Sequence, residues 1–220
     1  MMVNHTDSTV TPKPVVTMRR RMVVGITGAT GIIYGVRLLE ALRDLDIETH
    51  LVMSKAAELT RAYETDFKSE DIRGLADCVY SPNDVGAAIS SGSFRTMGMI
   101  VAPCSIRTMS DIAHGITSGL ISRAADVALK ERRRLVLMVR EAPLHAGHLR
   151  SMLAITEAGG IIVPPVPAFY NRPRSIDDIV MHTVGRALDL FDLDVGNFPR
   201  WSTARQTWDG QTAEVDEDDA

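Results

Sequence analysis

Short unbroken apolar runs punctuate this chain, and polar segments with helical spacing separate them. The runs near 22–26, 48–53, 78–80, 98–102, 134–139 and 160–163 show no period-two alternation, so each reads as a strand buried on both faces. Between them the pattern predicts helices over 30–44, 55–64, 70–76, 105–113, 119–131, 147–158 and 175–192. The last opens on Ser175, with Asp177 and Asp178 in its first turn, a cap followed by charges that suit the positive helix end. Strands alternating with helices, and few hairpin signals, require parallel pairing through right-handed crossovers. The expected fold is α/β: a Rossmann-like or flavodoxin-like doubly wound parallel sheet in a three-layer α/β/α arrangement. In such a sheet ligands bind at the carboxyl ends of the strands.

Composition narrows this to one domain. With 220 residues, 45% hydrophobic and 24% charged, the chain can bury a single sizeable core. Its longest apolar runs, 135–139 and 161–166, are too short for a bilayer, and no charged-then-apolar leader opens the sequence. A soluble, cytoplasmic protein without a membrane partner is expected. Cys78 and Cys104 form neither a disulfide framework nor a paired metal-ligand spacing, which suits a reducing compartment. Residues 1–21 carry +3 and residues 214–220 carry −5, so of the net −4 only −2 remains on the body. No basic field argues for nucleic acid. The expected organisation is a disordered basic extension over 1–21, a folded domain over 22–195, and a C-terminal segment with an acidic tail over 196–220.

Candidate chemistry gathers where strands end. Gly25-Ile-Thr-Gly-Ala-Thr-Gly31 follows the first strand and leads into a helix, so its backbone can turn sharply and its amides suit a phosphate. The spacing is not that of dinucleotide folds, and the second strand ends in Ser54 with no acidic residue for a ribose. A mononucleotide fits better than NAD; a plain tight turn is the other reading. After the fourth strand, Pro103-Cys-Ser-Ile-Arg-Thr108 places a proline as strand stop and Ser105 and Thr108 at a helix start, a second anion contact. Cys104 is there either a nucleophile activated by the helix or a small packed residue. The loop Ser90-Ser-Gly-Ser-Phe-Arg-Thr96 either closes over a ligand or connects. The fifth strand ends on Arg140 and Glu141, a cation and a carboxylate at the ligand edge or a surface ion pair, whereas 132–134 read as a solvated face at its start. His145 and His148 have no third ligand at hand, so no metal is expected.

Several blocks together resemble the UbiX family of flavin prenyltransferases. They are Thr27-Gly-Ala-Thr-Gly31, Glu48-Thr-His-Leu-Val-Met-Ser-Lys55, Ala102-Pro-Cys-Ser105, Arg123-Ala-Ala-Asp-Val127, Val139-Arg-Glu-Ala-Pro143, the run from Pro164 through Pro-Ala-Phe-Tyr170 to Pro173, and Pro199-Arg-Trp201. The resemblance implies that reduced FMN is the prenyl acceptor and is alkylated at N5 and C6 by dimethylallyl monophosphate. The product would serve a separate UbiD-type decarboxylase. It implies flavin contacts at Gly28, Ala29, Thr30, Ser54, Ser105, Ile106, Arg107, Thr108 and Arg140. Around the prenyl phosphate it implies Arg123, Lys130, Arg140, Glu141, Tyr170 and Arg186, with Glu64, Glu141, Thr30 and Lys130 as catalytic groups. It implies a homo-oligomer, a dodecamer, whose sites are shared between neighbouring chains. Two positions depart from many relatives: Thr30 stands for a serine and Val85 for a tryptophan. An FMN-dependent decarboxylase, or an FMN carrier subunit of an aromatic-acid decarboxylase, is the alternative.

Overall fold

The computed structural model describes residues 19–196. Most of the expected basic extension, the acidic tail and the Pro199-Arg-Trp201 block lie outside the described residues. Six parallel strands form one sheet in the order β3-β2-β1-β4-β5-β6: β1 (Arg21–Ile26), β2 (Glu48–Met53), β3 (Cys78–Tyr80), β4 (Gly98–Cys104), β5 (Arg134–Val139) and β6 (Ile161–Ile162). The helices are α1 (Ile32–Asp44), α2 (Lys55–Glu64), α3 (Ser69–Arg73), α4 (Ile106–Ala113), α5 (Leu120–Lys130), α6 (Ala146–Glu157) and α7 (Ile176–Asp189). A 3-10 turn at Ala88–Ser90, which the periodicity does not announce, precedes β4.

Alternate residues of the central strands feed two cores. Met22, Val24 and Ile26 face α1 and α7, where Leu38, Leu39, Leu42, Val184 and Leu188 close one layer. Val23, Met99 and Val101 face the other layer, closed by Met109, Leu120, Ala124 and Ile155 of α4, α5 and α6. Burial on both faces is why these strands read as unbroken apolar runs. The chain winds outward from β1 in both directions, so the sheet's switch point lies between β1 and β4, and in such sheets ligands bind at the carboxyl edge of that point.

Most element boundaries shift by one to three residues from the sequence reading, and two of the shifts have a clear physical reason. β1 begins at Arg21 rather than 22, because Arg21 pairs with Glu48 in register and its Nε lies 2.9 Å from the Glu48 carboxylate. Arg19 is likewise ion-paired, to Asp46 at 3.0 Å and Asp77 at 2.9 Å, so these arginines belong to the folded body. Pro103 does not stop β4, which runs on to Cys104. The ladder to β5 is irregular between Val101 and Cys104, so the missing proline N–H removes no rung there.

Candidate functional site at the carboxyl edge

Four chain segments are tied together where the strands end. The Thr27 amide and hydroxyl both donate to the Pro103 carbonyl, at 3.2 and 2.8 Å, and the Ser105 amide donates to Thr27 Oγ1 at 2.7 Å. Ser54 N donates to Ile26 O at 2.9 Å, and Arg140 N donates to Cys104 O at 3.1 Å. These bonds set the ends of β1, β2, β4 and β5 side by side as one platform.

Three helices start on this platform, two capped by a serine hydroxyl and the third by a distant carboxylate. Ser54 caps α2 by accepting from Ala57 N at 3.0 Å. Ser105 caps α4, accepting from Thr108 N at 3.3 Å with Thr108 Oγ1 a further 3.2 Å contact. At α1 the anion that the glycine-rich turn was expected to take from a ligand is the chain's own. The Glu64 carboxylate accepts from Gly31 N at 2.8 Å, from Ile32 N at 3.1 Å and from the Thr30 hydroxyl. Glu64 thus satisfies the orphan amides and the positive end of α1. Ser54, the first turn of α4 with Ile106 and Arg107, and Arg140 are the groups left for a bound anion. Among the described residues neither Arg107 nor Arg140 has an ion-pair partner, and both are exposed.

The glycines of the turn have separate reasons. Gly31 sits at φ +98°, a left-handed turn that other residues resist. Gly28 serves packing: a Cβ there would lie 2.4 Å from Ala56 Cβ, so α2 rests directly on its backbone. We therefore expect Gly28→Ala to lower stability by about 1–3 kcal/mol, with Ala56→Gly recovering part of the loss in the double variant. Denaturant unfolding of the four proteins checks this, and strictly additive losses would contradict it.

Side chains that the sequence did not single out complete the platform. Tyr34, in the first turn of α1, has its phenol pushed up by burial and pulled back by the Arg140 charge and a Thr183 hydrogen bond, which places it between Arg140 and α7. Only Thr27 carried a signal, as part of the glycine-rich block. Cys104 resolves to the packed reading: it is fully buried, burial pushes its thiol far above the usual range, and it is not poised to attack.

The residues assigned to a prenyl phosphate are not brought together in one chain. α5 runs antiparallel to the strands, so Lys130 lies near the amino start of β5, across about 20 Å of strand from Arg140 and Glu141. Arg123, two turns earlier on α5, bonds Asp126 at 2.7 Å and the Ser90 carbonyl at 3.3 Å, and Lys130 pairs with Glu131 at 2.5 Å. Tyr170 and Arg186 belong to the opposite layer, with α7. The Tyr170 hydroxyl is 3.0 Å from His182 Nε2, and Arg186 bonds Asp189 at 2.7 Å. Glu141 makes no ion pair with Arg140; its carboxylate accepts from Ala142 N at 3.1 Å. The expected solvated face at 132–134 is in part a clasp, since Arg133 donates to Gly92 O at 2.6 Å and Phe94 O at 2.7 Å and fixes the 90–96 loop. Val85 is 53% exposed. His145 caps α6, accepting from Gly147 N at 3.0 Å, and its ring lies 3.6 Å from that of His148. A cavity of about 1020 Å³ lies elsewhere, lined by Arg37, Asn171, Arg174 and Asp177, and it holds none of these groups.

Comparison with known proteins bears on this geometry. The Flavoprotein family matches residues 12–188. A flavin prenyltransferase UbiX from Thauera aromatica is 59% identical over 182 residues, covering 83% of this chain and 94% of the relative. The crystal structure of AnUbiX in complex with FMN and dimethylallyl pyrophosphate superimposes with a TM-score of 0.83 at 58% identity, covering 84% of this chain and 98% of that one. A dodecameric FMN-dependent UbiX-like decarboxylase from Escherichia coli O157:H7 has a TM-score of 0.81 at 53% identity, covering 83% and 99%.

Proposed function

This chain belongs to the Flavoprotein family and, within it, to the UbiX flavin prenyltransferases, and on that footing we propose that it joins a dimethylallyl group to N5 and C6 of reduced FMN. It is a flavin prenyltransferase, and FMN is its flavin. The observation that carries the reading is the platform of strand ends at the switch point. There Ser54, the capped first turn of α4 and Arg140 offer hydroxyls, amides and a guanidinium along one edge of the sheet, a donor set that fits FMN. Bound there, the reduced flavin supplies an electron-rich ring as acceptor.

The chain's own residues then have definable tasks. Departure of phosphate from an allylic carbon leaves charge on the phosphate oxygens, and fixed cations and hydroxyls aimed at that charge lower the barrier. We assign this to Arg123, Lys130, Tyr170 and Arg186, with Arg140 and Glu141 at the junction with the flavin. Because these groups lie on opposite layers and opposite ends of the sheet, the cup that holds dimethylallyl monophosphate is completed by neighbouring copies, in a dodecamer like that of the Escherichia coli relative. Glu64, with Thr30 against it, moves the proton on the flavin side. The prenylated flavin goes to a UbiD-type decarboxylase. The alternative, an FMN-dependent decarboxylase or carrier subunit, is disfavoured by relatives at 57–59% identity that are named flavin prenyltransferases. Among the described residues no helix is long and apolar enough to cross a membrane.

Anaerobic incubation of the protein with FMN, dithionite and dimethylallyl monophosphate tests the reading. The expected result is a flavin heavier by one prenyl group, with phosphate released. Unaltered FMN in an intact oligomer would leave only the carrier, and product formed solely from the pyrophosphate would correct the donor.

A further inference from the structure

The end of the sheet remote from the flavin platform holds a second group of chemically capable side chains. Glu48 and His50 stand two residues apart on β2, so they share a face, and His50 is the register partner of Cys78 on β3. One ligand atom from each of the three lies within 4.8 Å of the others, and among the described residues no other such trio comes together. We propose that this amino edge binds a thiophilic divalent cation of the zinc class, through the Glu48 carboxylate, His50 Nε2 and Cys78 Sγ.

The donor set selects the ion. One thiolate, one imidazole and one carboxylate match zinc and its neighbours, whereas magnesium and calcium require oxygen ligands throughout. Bonds of about 2.0–2.3 Å in a tetrahedron put ligand atoms about 3.3–3.8 Å apart, so closing on the ion asks about 1 Å of side-chain rotation. Glu48, with its side chain 22% exposed, has room for it, and the fourth position is left to water.

The surroundings are also those of a ligand histidine. His50 Nδ1 is 2.9 Å from the Tyr80 hydroxyl, which fixes the ring so that Nε2 faces Glu48 at 3.0 Å. A metal-bound imidazole is commonly held at its other nitrogen in this way. The Cys78 thiol has no hydrogen bond among the described residues. On binding its proton passes to solvent, and the dication meets one thiolate and one carboxylate. The rival for Glu48 is Arg21, and it has a second seat, since its guanidinium carbon already lies 4.7 Å from the centre of the Phe94 ring. The consequence is structural: the ion would tie β3, a three-residue edge strand, to β2.

Cobalt(II) is the probe for the test. The full-length protein, stripped with a chelator and dialysed, is titrated with Co²⁺ and then with Zn²⁺. The expected result is one cobalt per chain with a thiolate-to-cobalt charge-transfer band that zinc abolishes. Cys78→Ser is expected to lose the band while keeping the fold and prenyl transfer, and Cys104→Ser to retain the band. A wild-type protein without a thiolate band, or a band that survives Cys78→Ser, overturns the proposal.

Discussion

Glu64→Gln is expected to cut prenyl transfer by about 10²–10⁴-fold while FMN affinity and melting temperature stay close to wild type. The reason lies in what Glu64 holds. Its carboxylate takes two amides of α1 and the Thr30 hydroxyl at once, so it is a cap and a proton acceptor together. A glutamine oxygen has two lone pairs and can still accept from Gly31 N and Ile32 N, so the helix end remains satisfied. Its NH₂ group must then face Thr30, which reverses the direction of that hydrogen bond and removes the site that can take a proton. Glu64→Ala differs, because it leaves both amides without a partner; it should lose about 1–3 kcal/mol of stability in addition to turnover. Thr30→Ser retains the hydroxyl and most of the rate, whereas Thr30→Val should resemble Glu64→Gln. If the two residues form one relay, Thr30→Val and Glu64→Gln combined should be little slower than either alone. Rapid-quench kinetics with mass detection of the prenylated flavin measures all five variants, and full turnover in Glu64→Gln would refute the relay.

The same residues show how far a sequence can be read. The strands were legible because a sheet covered on both faces needs continuous apolar runs, and their parallel pairing follows once every connection is a crossover. Ser54, Ser105 and Arg140 were legible for a related reason: each directly follows a strand, and in this fold that position is the ligand edge. Glu64 was visible only through the family resemblance, since its target lies 32–34 residues back at the start of another helix. Gly28 was visible, but its packing against α2 was not, because a glycine that admits a ligand and one that admits a neighbouring helix look alike in one dimension. Tyr34 and His182 announce nothing in the pattern. Arg123 and Lys130 look, from the resemblance, like partners of Arg140, and only the antiparallel course of α5 reveals that a single chain keeps them apart. The Glu48, His50 and Cys78 trio escaped for the converse reason: its members come from two strands, and strand register, not sequence spacing, joins them.

Glu141→Gln should retain FMN and lose turnover, again by about 10²–10⁴-fold, but with a different signature. Glu141 lies two residues past β5, and its neighbour Arg140 is anchored by its amide to Cys104 O on the platform, so the pair sits at the edge where we place the junction of flavin and prenyl phosphate. With no ion pair between them, the carboxylate is free to hold or deliver a proton while the guanidinium meets phosphate charge. Glutamine keeps the size and the acceptor oxygen and removes only the proton exchange. The binding of FMN, which we assign to Arg140, Ser54 and the first turn of α4, should therefore be unchanged. If Glu141 protonates the departing phosphate, the loss should be greatest with a poor leaving group and smaller with one that departs as a stable anion unaided. Comparing the wild type and Glu141→Gln on dimethylallyl monophosphate and pyrophosphate separates this from simple mispositioning. A common factor on both donors, or equal rates in both proteins, would remove Glu141 from the proton path and leave it a spectator beside Arg140.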